Sequence, residues 1–179
     1  KEEPLWDGSK GLTVVVQADQ GLGDMIQFSQ VLPEMVKDCK QVIVETHERM
    51  AGLFRRSFPG ITVFDTLKIR GGVKWPLDYQ IDAHIHLSLA GRFYRTKDSD
   101  FPRKAYLIPD EERRAKWQAW LEQFPKPWVG LAWRGGISTT NVVARSINLT
   151  EYAPIMEQGG TFISLAYQAD CKPEIAHWN

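Results

Sequence analysis

The apolar run Leu12-Thr13-Val14-Val15-Val16 is continuous and mostly β-branched. A run that is apolar on both faces predicts a central parallel strand covered on both sides. Gly21 and Gly23 break it. From Met25 to Cys39, apolar residues Met25, Phe28, Val31, Leu32, Met35 and Val36 recur at helical spacing. Pro33 lies inside that segment and should kink or restrict the helix near that point. Gln41 to Glu45 reads as a second strand, Glu48 to Phe58 as a second helix, and Ile61 to Phe64 as a third strand after the Pro59-Gly60 stop. The order β-α-β-α-β with short connections predicts a parallel sheet with right-handed crossovers.

Residues 67–78 are loop-like. From Tyr79 to Leu89, Ile81, Ala83, Ile85 and Leu87 alternate with Asp82, His84, His86 and Ser88. That period of two predicts a strand with one polar face. Residues 90–104 are basic and irregular; Arg92-Phe93-Tyr94-Arg95 mixes cations with aromatics and reads as a solvated loop, with contact to a phosphorylated or sugar acceptor as the alternative. Asp110 to Phe124 reads as a charged helix whose apolar side is Trp117, Trp120 and Leu121, expected in a core. A new βα unit follows: a strand at Trp128 to Trp133, a loop at Arg134-Gly135-Gly136, a helix from Leu149 to Glu157 and a strand at Thr161 to Leu165. The fold class is therefore α/β. One Rossmann-like domain with a parallel sheet occupies residues 1–108. A linker helix and the start of a second Rossmann-like domain occupy 109–179. Residues 1–10 are polar and read as a lead-in.

Composition narrows the picture only slightly. The 179 residues are 43% hydrophobic and 25% charged, ordinary for a globular protein. Acidic and basic residues balance at 22 each, so net charge gives no reason to expect nucleic acid or an anionic membrane as partner. No run approaches the roughly twenty apolar residues of a membrane helix, and no signal-peptide pattern opens the chain. The two cysteines, Cys39 and Cys171, are far apart and lack metal-site spacing, which suggests thiols in a reducing compartment.

Chemistry is sought first at Gln20-Gly21-Leu22-Gly23-Asp24. In open α/β sheets, ligands bind at the carboxyl ends of strands near helix N-termini. Asp24 falls at or near the start of the next helix, where a simple cap is one role for it. The pattern G-x-G-D lacks the third glycine of a dinucleotide fingerprint, although Glu45 stands at about the right distance for its acidic residue. His84 and His86 share a presumed strand face with Asp82, but no third metal ligand has suitable spacing. Ser138, Ser146 and Ser164 lack the G-x-S-x-G elbow of a hydrolase.

The stretch Val14 to Phe28, centred on Gln20-Gly21-Leu22-Gly23-Asp24-Met25-Ile26-Gln27-Phe28, resembles the "EQGLGDxxQF" segment of bacterial glycosyltransferases similar to family 9, the heptosyltransferase family. It looks closest to the branch that carries tetratricopeptide repeats ahead of the transferase domain, and Trp6-Asp7-Gly8 also fits that branch. Phe58-Pro59-Gly60-Ile61 resembles its "LPGV" turn, Gly130 to Gly135 its "GLVWAGN" loop, Arg145-Ser146-Ile147-Asn148-Leu149 its "RSIPL", and Phe162 to Leu165 its "FVSLQ". The resemblance covers nearly the whole chain in order.

It implies the GT-B architecture, with an acceptor-side and a donor-side Rossmann-like domain. It implies a cytoplasmic enzyme that transfers a sugar, with inversion, from a nucleotide-sugar donor to a hydroxyl of a glycan, lipid-linked or protein acceptor. Asp24 would be the catalytic base, with Gln20, Gly21, Gly23 and Gln27 on the substrate side. Arg134, Gly135, Arg145 and Ser146 would face the donor phosphates, and no metal or other cofactor is expected. The chain departs from the family in reading Arg134-Gly135-Gly136 where "AGN" is common, and the family's lysine near this region has no clear match. The "DTAxAHLAG"-like donor loop would lie beyond Asn179. A non-catalytic remnant or binding module that keeps the fold is the alternative. A plain dinucleotide domain of an oxidoreductase is a third.

Overall fold

A computed structural model of the chain describes residues 3–18, 21–65, 80–135, 141–166, 168 and 171–178. It divides into two compact units, Lys1–Glu111 and Glu112–Asn179.

The first unit is built on a parallel sheet. Its strands are β1 (Thr13–Gln17), β2 (Gln41–Thr46), β3 (Ile61–Asp65) and β4 (Ala83–His86), in the order β3-β2-β1-β4. β1 therefore lies between β2 and β4, with Val14 opposite both Val42 and Ala83. The β-branched runs explain the placement. Val14, Val16, Val42, Val44 and Ile85 feed one core cluster, while Val15 and Ile43 are buried on the opposite face. A strand buried on both faces must be apolar at every position, which is why β1 and β2 read as runs rather than alternations.

The helical segment after β1 is two helices. α1 (Leu22–Phe28) and α2 (Leu32–Asp38) are joined by a 3₁₀ turn at Ser29–Val31. Pro33 sits in the first turn of α2, where its missing N–H costs nothing. α3 (Glu48–Ser57) buries Met50, Ala51 and Phe54 and turns Arg55 and Arg56 outward.

The strand expected over 79–89 is shorter. Ala83 to His86 pairs with β1, and Leu87–Ala90 turns into a short helix, α4, that buries Leu87 and Ala90. The loop expected at 67–78 lies outside the described residues. The polar lead-in is also part of the fold. Trp6 is 1% exposed, its N–H bonds to the His84 carbonyl (2.8 Å), and the N–H of His84 bonds to Pro4 (3.0 Å). Residues 4–6 thus lie along the outer edge of β4. The segment Arg92-Phe93-Tyr94-Arg95 is not a solvated loop: Phe93 and Tyr94 pack on the core, and the Arg95 side chain is 7% exposed.

In the second unit, β5 (Trp128–Leu131) and β6 (Thr161–Ser164) pair in parallel, and short helical turns occupy Leu149–Tyr152 and Ala153–Met156 (α6). A further helix, α7 (Lys172–Ala176), was not visible in the pattern. Leu131, Trp133, Leu149 and Cys171 form its core. The charged helix α5 (Glu111–Leu121) buries none of its residues, so Trp117 and Trp120 are not core; they meet edge to face at 5.7 Å, with Phe124 against Trp120. Helical spacing put these rings on one side, but no described element covers them. Among the described residues, no helix is long and apolar enough to cross a membrane.

One consequence of this packing is measurable. Burial, aided by the charge of Asp38, pushes the Cys39 thiol up to about 11. The unfolded thiol ionises near pH 9 while the folded one stays protonated, so its contribution is intact below pH 9 and is lost as pH rises towards 11. Alkaline urea titrations should show roughly 2–3 kcal/mol of stability lost across that interval, and Cys39→Ala should remove this share of the slope. An identical slope in the variant would mean that the thiol is not held in the core.

Candidate functional site

The sheet order locates a crevice before any residue role is assigned. The strands run β1, β2, β3 in one direction from the centre, and β4 lies on the other side of β1. The carboxyl ends of β1 and β4 therefore flank the point where the order reverses, which is where open α/β sheets bind ligands. Gln17 and His86 end these two strands side by side. α1 follows the first and α4 the second, and the two helices pack together.

Asp24 stands at this edge. The N-cap of α1 is Gly21, which makes no side-chain cap bond, so Asp24 is the third helical residue and not the cap. The next residue, Met25, is 1% exposed and donates its N–H to the Gly21 carbonyl (3.0 Å). Asp24 itself is exposed. Its carboxylate folds back over the glycine: a Cβ added to Gly21 would lie 2.5 Å from Asp24 Oδ2. Gly21 is needed here for room and not for an unusual backbone, since its φ is −103°. Gly23 is exposed with open space around it, and Gln27 is exposed one turn beyond Asp24. Gln20 lies outside the described residues.

The other candidates at the sheet separate. Asp82 accepts the N–H of Thr13 (2.8 Å), at the start of β1, and so sits at the edge opposite Asp24. His84 Nδ1 contacts the Glu3 carbonyl (2.9 Å), whereas His86 is exposed at the carboxyl end. Glu45 is buried in β2. Among the described residues, no group of three or more His, Cys, Asp or Glu is placed to hold a metal ion.

In the second unit, the structure brings Arg134, Gly135, Arg145 and Ser146 into one pair of loops. The N–H of Gly135 donates to Ser146 Oγ (3.2 Å), and the N–H of Ile147 to the Trp133 carbonyl (3.0 Å). A Cβ on Gly135 would meet the Arg145 carbonyl at 2.8 Å, so only glycine lets the two loops approach. Arg134 is half-buried; it donates to the Ile147 carbonyl (2.8 Å) and pairs with Glu174, which also accepts the N–H of Leu149 (3.0 Å). The Arg145 side chain is exposed. Gly136 lies outside the described residues.

With this geometry in view, the chain can be set against known proteins. It is 31% identical to Protein FlbA of Caulobacter vibrioides over 186 aligned positions. The alignment takes in 96% of this chain and 31% of FlbA, so the chain spans about a third of the length of that curated relative. No protein-family model matches the chain, and no solved structure matches it.

Sequence reasoning missed two residues at the first unit's edge. His86 was grouped with His84 by alternation, yet the strand ends there and leaves His86 beside Gln17, the last residue of the strand that precedes α1. Arg95, read as part of a solvated loop or an acceptor contact, instead pairs with Glu34 (2.9 Å) and donates to the Gln30 carbonyl (3.0 Å). Nothing in the sequence alone ties Glu34 in α2 to the turn after α4.

Proposed function

We propose that this chain is the acceptor-side domain and the first part of the donor-side domain of a GT-B glycosyltransferase similar to family 9. One observation carries the reading: an exposed carboxylate, Asp24, seated over a glycine at the reversal point of a Rossmann-like sheet. The in-order resemblance of five segments supports it. In this reading the acceptor hydroxyl attacks the anomeric carbon of a nucleotide sugar as Asp24 takes its proton. The bond to the diphosphate breaks on the opposite side, the configuration inverts, and a nucleoside diphosphate leaves. A hydroxyl is a poor nucleophile until its proton is leaving, and a positioned carboxylate meets that need. In this reading the donor-side role falls to the Gly135–Ser146 loop pair and the exposed Arg145 of the second unit, whose N–H groups and cation suit a diphosphate.

A second reading, a binding module without transfer, draws on the ion pair of Arg134 with Glu174, which engages one of the two arginines of that loop pair. The full-length parent separates the two. With a panel of nucleotide sugars and acceptors, it is expected to release nucleoside diphosphate only when an acceptor is present, and to give a product of inverted anomeric configuration. Retained configuration overturns the mechanism. Acceptor binding without turnover across the panel favours the module.

A further inference from the structure

Glu174, on α7, lies 40 residues beyond Arg134 and uses both of its oxygens to hold the loops of the second unit. Oε1 accepts from Nη2 of Arg134, and Oε2 accepts the N–H of Leu149 (3.0 Å). Leu149 opens a 3₁₀ turn whose cap residue, Asn148, makes no side-chain cap bond. Glu174 therefore supplies from a distance the acceptor that a cap would have given. The side chains of Arg134 and Glu174 are only 21% and 20% exposed, so solvent screens their attraction less than that of a surface pair.

Arg134 also lines a hollow of about 290 Å³, together with Val142, Val143, Ser146, Ile147 and Asn148. It is the one charged side chain among these lining residues. An anion entering the hollow would seek its guanidinium, but that group is engaged. Nη1 donates to the Ile147 carbonyl (2.8 Å), Nη2 goes to Glu174, and Nε is buried without a hydrogen-bond partner. The charge of Arg134 is thus already met by a carboxylate, and a ligand oxyanion is a rival of Glu174. The carboxylate is part of the fold and loses no translational freedom on pairing, whereas a free ligand does. A singly phosphorylated ligand gains little by the exchange. A diphosphate brings more charge and two sets of oxygens to a planar fork of donors, so it gains more.

From this we infer that Glu174 is a specificity-determining residue. Its carboxylate reserves Arg134, and an anion of diphosphate charge takes the guanidinium over where a monophosphate does not. The inference rests on the donor-side reading of the second unit, but it is read by binding and not by turnover. The test is a calorimetric titration of the purified chain with sodium pyrophosphate and with inorganic phosphate at one fixed ionic strength. The natural chain is expected to bind pyrophosphate about tenfold or more tighter than phosphate. Glu174→Gln keeps an oxygen for the Leu149 N–H and removes the charge. It should bind phosphate about tenfold tighter than the natural chain does, and so narrow the preference. A residue that merely braced the loops would give the opposite sign, with both anions weakened. Arg134→Gln added to Glu174→Gln should erase the gain. In the natural chain, pyrophosphate should move the amide NMR signal of Leu149 as the carboxylate gives way, and phosphate should not.

Phosphate binding that is unchanged or weaker in Glu174→Gln overturns the inference, as does a gain that survives the loss of Arg134. Equal affinity of the natural chain for the two anions, or no binding of pyrophosphate, also overturns it. The Leu149 signal tests it without any variant. Pyrophosphate binding as expected with no transfer by the parent would sink the enzyme reading alone. Transfer by the parent without these differences would sink the role of Glu174 alone.

Discussion

Asp24→Asn in the full-length parent is expected to lower sugar transfer by about 10²–10⁴-fold, the usual worth of a positioned general base. The amide keeps the shape of the carboxylate and cannot accept the proton. Stability should barely move. Asp24 is exposed and makes no cap bond, so the variant loses only its favourable place in the first turn of α1, about 0.3–1 kcal/mol. Affinity for the nucleotide sugar should be unchanged, because the proposed donor residues belong to the other unit. Gly21→Ala is a companion test by geometry alone. Alanine adopts the backbone of Gly21 without strain, but its Cβ would lie 2.5 Å from Asp24 Oδ2. The carboxylate is the free end of a short side chain and can swing away, so the fold should survive while transfer falls. Initial rates, a donor titration and a thermal melt on the same preparations check all three statements. Unchanged turnover in Asp24→Asn would overturn the base assignment.

The parts of this molecule legible in its sequence are those set by local pattern. β1 and β2 announce themselves because burial on both faces demands apolar runs, and β3 because a short β-branched run follows the Pro59-Gly60 stop. α3 does so through Met50, Ala51 and Phe54 on one side. Asp24 stood out because a strand, two glycines and a helix start are consecutive in the chain. Its role as cap did not survive, since the glycine ahead of it takes that position and no side chain closes the helix.

What was not legible depends on partners distant in sequence. Arg95 looks like a loop cation until the fold brings Glu34 against it. Trp6 looks like part of a polar leader until β4 presents an edge for residues 4–6. Trp117 and Trp120 show the converse: helical spacing says that two rings share a side, and says nothing of what covers them. His86 was misplaced for a related reason. Alternation continues through Leu87 and Ser88, but the backbone leaves the strand at His86 and coils into α4, which buries Leu87 as a helical residue. A pattern of period two cannot mark that boundary when the first turn of the helix happens to continue it.

The largest effect on stability is expected from Trp6→Ala, in a segment that composition assigns to a leader. The indole is 1% exposed; it meets Phe93 edge to face at 4.9 Å and stacks near Tyr94 at 6.3 Å. Its Nε1 donates to the Ser9 carbonyl at 2.9 Å, so the polar end of the ring is satisfied as well. Truncation of a buried tryptophan costs about 3–5 kcal/mol, a large part of the 5–15 kcal/mol that holds a domain together. The melting temperature should fall by roughly 10 °C or more, at 4–8 °C per kcal/mol for a unit of this size. Trp6→Phe should recover part of the loss, because the ring contact with Phe93 remains and only the bond to Ser9 goes. The effect should also reach the neighbouring segments. Phe93 follows Arg92 directly, and His84 is bonded on both sides to residues 4–6, so loosening Trp6 frees the turn that carries the arginine and the outer edge of β4. A change in stability below about 1 kcal/mol would place the variant among ordinary surface substitutions and would mean that residues 3–9 are not part of the core.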